Sequence, residues 1–232
     1  MKECNETFKK DMRKNKRFLI IPILILCAGL GMSTKLLTSS NCMKQDLFSD
    51  YLRTFKEKSL PVKLSRKHVL ELEDLNNNLT EIKDSLLVFI PSELRKNFTS
   101  STFKRLYLLP KHCNNKVVLL LHKFINQYDA NVFKVYMVIY GNSGNILDYK
   151  ELAGFNLDVW EAFLAIDENY KISRKVYNFK LNDDLQAEYF HLLETSYEYE
   201  LNTRGFIKEL SKFKQEGYFD GDSSGYKLVE EY

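Results

Sequence analysis

The 232-residue sequence predicts an α+β fold: an antiparallel β meander of about seven to nine strands, two or three helices near its start, and a membrane or export segment ahead of both. Three observations predict it. Two helical stripes lie between residues 44 and 97. From residue 104 the character changes: twelve of the fourteen tyrosines stand at position 128 or later, and only Pro110 lies beyond position 100. Aromatic and β-branched enrichment of that kind favours strands. Finally, strand–turn–strand units follow one another without the strand–helix alternation that a parallel sheet needs. At 44% hydrophobic and 28% charged, the composition is that of an ordinary globular chain. It excludes collagen-like, disordered and disulfide-dense classes, and a single long apolar run excludes a polytopic membrane protein.

The first element is an address. Residues 1–17 carry seven basic and three acidic groups, which leaves the remainder of the chain at a net −1. Phe18 to Met32 then runs without a charged or amide side chain, and Ser33 and Thr34 extend it to Lys35. A basic flank followed by an apolar run marks export, and the basic flank stays cytoplasmic. The expected division is a basic cytoplasmic tail (1–17), a transmembrane or signal segment (18–34), a linker (35–43) and an extracytoplasmic β-rich domain (44–232). Three fates fit the segment. An uncleaved anchor is at the short end of what spans a bilayer. A secretory signal could be cleaved near Ala28, Gly29 and Gly31. Lipidation at Cys27 has Leu24 in its favour and Leu26 against it, because a lipobox wants a small residue there. An exported domain also permits a disulfide between Cys42 and Cys113.

Leu47, Phe48, Tyr51, Leu52 and Phe55 form one face of a helix over 44–57. Leu60-Pro-Val-Lys-Leu64 reads as a short edge strand, where Pro61 is tolerated. Asn76–Asn78 marks a loop. Ile82, Leu86, Leu87 and Ile90 predict a second helix within 80–97, interrupted at Pro91. Strands are then expected at Arg105–Leu109 and Lys116–Phe124. Three units follow: Phe133–Tyr140 with Ile146–Leu152, Trp160–Ile166 with Lys171–Tyr177, and Glu188–Leu201 with Phe206–Leu210. Their connecting loops hold Gly, Asn or Asp, which supply positive φ or local side-chain bonds. Phe206, Ile207, Leu210 and Phe213 also fit a helix ending near Gly217. A last strand is expected at Tyr226–Tyr232. The two helices are the evident cover for the sheet, unless it folds on itself.

Few residues announce chemistry. Asp220, Asp222 and Ser224 with Gly225 and Glu231 have the oxygen-ligand spacing of a calcium loop, although Lys227 places a cation inside it. The other reading is a polar turn before the last strand. Calcium is the only cofactor suggested. His68, His112, His122 and His191 show no metal-ligand spacing. His112 and Cys113 point to opposite faces of an extended segment, so they form no local catalytic pair. His122 sits in an apolar strand as a structural residue would. Asp158, Glu161, Asp167 and Glu168 surround the Trp160 strand, and paired acids for glycoside hydrolysis would need a cleft between them. No nucleophile elbow, zinc-protease helix or phosphate loop is present. The near-neutral body gives no basic face for nucleic acid.

Taken together, the basic tail, the apolar segment, the Leu60–Leu64 strand, the Tyr107-Leu-Leu-Pro110 approach and the unit Tyr136–Gly154 with Ile146-Leu-Asp resemble small exported or lipoprotein-like proteins of gut Bacteroidota. The resemblance covers roughly residues 18–215 and brings no assigned activity. The expected function is a binding or interaction domain tethered in the cell envelope through residues 18–34, facing an envelope protein or glycan. Two alternatives remain: an envelope hydrolase with its site assembled across the sheet, and an immunity-type protein. Lipid anchoring or secretion are the alternatives for its location.

Overall fold

The computed structural model describes residues 44–74, 79–95, 101–157, 159–180, 189–222 and 224–231. The tail 1–17, the apolar segment 18–34, the linker 35–43 with Cys42, and also Cys27, Asn76–Asn78 and Asp158 lie outside the described residues. The chain divides into two compact units, Met1–Asp46 and Leu47–Tyr232, and the second holds the folded domain.

Helix α1 spans residues 44–53. Strand β1 (Val62–Leu64), helix α2 (Arg66–Asp74), a 3-10 helix (Asp84–Phe89) and the single turn α3 (Ser92–Arg95) follow. Then come β2 (Thr102–His112), β3 (Asn115–Ile125), β4 (Asn131–Tyr140), β5 (Ile146–Asn156) and β6 (Trp160–Ile166). The last four are β7 (Lys171–Phe179), β8 (Phe190–Leu201), β9 (Ile207–Asp222) and β10 (Gly225–Glu231). Strands β2 to β10 pair in sequence order as one antiparallel meander, with β1 attached to β6. The mostly antiparallel sheet with few helices is the expected architecture.

Two expectations change. The stripe at 82–90 forms a 3-10 helix and not an α-helix, and α3 adds only one turn. Pro91 sets where the 3-10 helix stops, because the residue before a proline is held out of helical geometry and Ile90 is extended (φ −92°, ψ 135°). The strand expected at Phe206–Leu210 forms as β9, but it starts at Ile207 and runs on to Asp222, so the helix that also fitted these residues does not form. Helix α2 was not foreseen. Its start is capped by Ser65, whose hydroxyl lies 2.7 Å from His68 Nδ1 and 3.5 Å from the His68 backbone N–H.

The central strands explain their own apolar sequence. On β3, Val117, Leu119 and Leu121 enter one cluster, while Val118 and Leu120 enter another. Both faces are covered, so the strand reads as an unbroken apolar run. One cover is α1 with the 3-10 helix: Phe48, Tyr51, Phe55, Phe89 and Ile90 pack on Val118, Tyr136, Val138 and Tyr140. Tyr140 donates its hydroxyl proton to the Phe89 carbonyl (2.7 Å). Its oxygen must then accept from Tyr51, 3.1 Å away. Burial raises the pKa of both phenols, which therefore stay neutral.

The other cover is the sheet itself. Ile172, Tyr199 and Leu201, from β7 and β8, share a cluster with Leu109, Val117 and Ile139 from the opposite end of the meander. The sheet must curl for these to meet. The curl begins at Gly154, where φ is +149° and a Cβ would lie 2.2 Å from the Phe133 carbonyl oxygen. Strand β5 pairs with β6 only from Gly154 to Asn156. Residues Leu164–Ile166 of β6 instead take β1 as their partner. On the far side the Ile207 backbone N–H donates to Asp148 Oδ2 (2.7 Å), which joins the start of β9 to β5.

Candidate functional site

The C-terminal oxygen ligands fall on a hairpin. Asp222 pairs with Gly225 beside the turn, and Glu231 pairs with Gly217 at the far end of the ladder. The two acids therefore stand at opposite ends of the β9–β10 ladder, since Asp222 faces Gly225 and Glu231 lies six residues further along β10. Ser224 donates its hydroxyl (2.5 Å) and its backbone N–H (2.7 Å) to Asp222 Oδ1, and these bonds hold the Asp222 carboxyl below its ordinary range. Asp220 is exposed on β9 opposite Lys227. Hence the hairpin brings Asp222 and Ser224 together and leaves Glu231 apart. Cys113 is exposed at the β2–β3 turn with φ 54°.

The histidines sit on separate elements. His122 is buried, stacked on Phe103 at 4.3 Å and packed near Phe124 and Tyr136. Burial, aided by the Lys134 ammonium, pushes its pKa down to about 4. His112 meets the Tyr170 ring edge-on, and burial lowers its pKa. His191 lies 3.1 Å from Glu216 Oε1 and stacks on Tyr218. His68 belongs to the α2 cap.

Of the carboxylates around Trp160, Asp167 accepts the backbone N–H groups of Asn169 and Lys171 in the β6–β7 turn, both at 2.8 Å. Glu168 is exposed there. Glu161 points elsewhere. It is 1% exposed and paired with Arg66 of α2 at 2.5 Å. Pairing across β6, β7, β8 and β9 sets Glu161, Tyr177, Glu194 and Gln215 in one row on one face. Burial pushes the Glu194 carboxyl up, but Ser196 (2.6 Å), Lys175 (3.1 Å) and Gln215 (3.2 Å) outweigh it and hold the group below its ordinary range. Beside this row Tyr226 packs against Tyr177 (4.8 Å), Phe163, Phe179 and Phe190. Both acids are thus committed to cations and hydrogen-bond donors, and aromatic rings cover the row. The row ties β10 and α2 to the sheet.

The surface differs at β9. Residues 207–216 pair with β8 on one side. On the other side pairing with β10 begins only at Gly217, and among the described residues no strand pairs with 208–216. Leu210 and Phe213 are 48% and 58% exposed on this stretch, and Phe206 is exposed just before it. Lys208, Lys212 and Lys214 stand among them, and a bulge falls at Leu210. An edge of this kind offers unpaired backbone donors and acceptors to an extended chain, with alternate side chains for selectivity. The opposite edge of the sheet is closed. The β2 backbone is bonded by Lys56 and Lys58 at Leu108, and by Thr80 and Ile82 at Arg105 and Phe103. Sequence reasoning ended the strand at Leu210 and missed the open edge. No local signal marks it: Leu210 and Phe213 stand three apart, a spacing that fits a helix and not the alternation of a half-buried strand.

Compared with protein-family models, with curated proteins and with solved structures, the chain finds no match in any of the three.

Proposed function

We propose that this chain is a binding domain tethered in the cell envelope. Residues 18–34 hold it in the membrane, and the sheet lies outside the cytoplasm, in the manner of the exported proteins that the sequence resembles. Its β9 edge receives an extended segment of a protein partner. The observation that carries this reading is the unpaired edge over 208–216, set with exposed Leu210 and Phe213. Lysines on an edge oppose indiscriminate pairing. Lys208, Lys212 and Lys214 therefore select a segment with acidic residues beside its apolar ones. Among the described residues no helix is long and apolar enough to cross a membrane, and the proposed anchor lies outside them.

The test places a photo-crosslinker at Phe213, and in a second sample at Lys227, in the full-length chain in its own cells. Fractionation at alkaline pH follows. A single adduct from position 213, lost when Lys212 becomes proline, with the chain in the membrane pellet, supports the reading. Chain that washes into the soluble fraction removes the tether. Equal labelling from both positions removes the edge as the docking surface.

A further inference from the structure

We infer that a cleft between the Glu57–Ser59 segment and the β2–β3 hairpin binds a phosphate-type oxyanion on Lys58, Lys111 and Lys116. The cleft measures about 440 Å³ and is floored by Leu108, Leu109 and Pro110. Its cations come from three places. Lys58 is fixed by the short parallel contact with β2: its N–H donates to the Leu108 carbonyl (3.0 Å), and the Leu108 N–H donates to Lys56 (2.9 Å). Its ammonium lies over the Tyr107 ring at 5.7 Å. Lys111 is the last but one residue of β2 and Lys116 the second of β3, one step into the ladder from the His112–Asn115 pair that closes the hairpin.

Like charges facing each other across a hairpin are unfavourable, so this arrangement asks for compensation. Among the described residues, no carboxylate forms an ion pair with any of the three lysines. Glu57 is the one acid on the cleft wall, which leaves the wall with a net positive charge. Burial together with the Lys111 ammonium holds the Lys116 amine below its ordinary pKa, a sign of unrelieved positive charge. A bound oxyanion supplies the missing negative charge. Lysines act toward phosphate as point charges, and the Ser59 hydroxyl adds a neutral donor at the rim. The low-dielectric floor strengthens the field over the site.

The position of the cleft suggests where the anion comes from. Lys116 pairs with Tyr140, next to the 141–145 turn. Phe48, among the first residues of the domain, packs against Gly144 of that turn. The cleft and the start of the domain therefore share one end of the sheet. A phospholipid headgroup is one source of the phosphate, and this source alone rests on the tether proposed above. Free phosphate is the other.

The experiment is calorimetric titration of the full-length chain, in neutral detergent, with inorganic phosphate. The expected dissociation constant is about 1 mM or tighter. Changing Lys111→Gln and Lys116→Gln together should weaken binding by about tenfold or more. Glu57→Gln should tighten it, and Lys227→Gln should leave it unchanged. A circular-dichroism melt checks that each variant is folded. Absence of heat, or equal affinity in the folded double variant, overturns the site. Repeating the titration in nanodiscs separates the sources. If phosphatidylglycerol discs weaken phosphate binding relative to phosphatidylcholine discs, in the native chain but not in the double variant, the headgroup occupies the site. Equal binding in both discs assigns it to free phosphate. The detergent titration does not depend on the anchor, so failure of the tether and failure of the site remain distinguishable.

Discussion

Strands β3 and β4 are covered on both faces and both edges, whereas β9 over residues 208–216 is paired on one edge and largely exposed on its faces. The two strands belong to the same sheet and share its curl. Their side chains differ accordingly: Val, Leu, Ile and Met in the first pair, Lys among Leu and Phe in the second. The chain also closes the β2 edge with its own segments at 56–58 and 80–82, and among the described residues no segment pairs with the outer edge of β9 over 208–216. Stability is thus concentrated at the start of the meander, and the free backbone is concentrated near its end. A surface meant to be occupied by another chain can be left open only where the domain does not depend on it for folding.

The largest expected effects probe the covered end. Leu119→Ala removes a fully buried side chain from a core packed on all sides, and should lower unfolding stability by about 4 kcal/mol in urea titration. Gly154→Ala forces a Cβ against the Phe133 carbonyl oxygen at a positive φ. It should be destabilising by at least about 3 kcal/mol, since the Cβ meets backbone that cannot rotate away. If either variant is as stable as the native chain, the doubly covered strands and the bend are not what holds the fold.

The next effect links the two regions. Arg66→Ala leaves Glu161 buried without its cation, and Glu161 lies on the face that β10 covers. A loss of about 3 kcal/mol is expected, most of it from the stranded carboxylate. Glu161→Gln in the Arg66→Ala background should recover part of it, and a double-mutant cycle measures the coupling.

Acid should act first through His122. Burial lowers its folded pKa to about 4, while the unfolded chain titrates near 6.5. Between these values the unfolded state binds the extra proton. The stability contribution is therefore complete above about pH 6.5 and is lost as pH falls toward 4, about 3 kcal/mol in all. His122→Phe keeps the stack on Phe103 and should flatten this slope. Glu73, half-buried and held down by Lys104 and Lys123, and Glu194 have lowered pKa values. Their contributions are present above the ordinary carboxylate range and are lost only at more acid pH. A His122→Phe chain that still weakens between pH 6.5 and 4.5 would assign that slope elsewhere.

The meander was legible because its turns are local. Gly141-Asn-Ser-Gly-Asn, Asp167–Tyr170 and Asn202–Gly205 each encode a reversal within a few residues, and Asp167 and Asn202 make the turn bonds themselves. The double burial of β3 was legible from its unbroken apolar run. Helix α2 was not, because only Val69 is fully buried and no stripe marks it. The curl was not legible either, since nothing in the letters around Gly154 states its φ. The spacing at Asp220, Asp222 and Ser224 fitted both a calcium loop and a polar turn before a last strand. Tyr226-Lys-Leu-Val carries the chain away as a ladder, so Glu231 travels from Asp222. The lysine cleft joins residue 58 to residues 111 and 116 through one short parallel contact, which no local pattern foretells.

The smallest stability effect should come from the open edge, and there it carries the most information. Leu210→Lys and Phe213→Lys exchange half-exposed apolar groups for charges on a strand whose outer edge is unpaired among the described residues. Their unfolding midpoints should shift by no more than about 0.5 kcal/mol, the range of surface substitutions that break no buried contact. The adduct from a photo-crosslinker at Ser211, exposed on the same strand, should nevertheless fall sharply in both variants. That pairing of outcomes separates folding from binding within one sheet. Were Leu210→Lys to unfold the domain, β9 would belong to the core, and the contrast between the two ends would fail. Were both variants stable with the adduct intact, the apolar side chains would be incidental, and recognition would rest on the backbone edge alone.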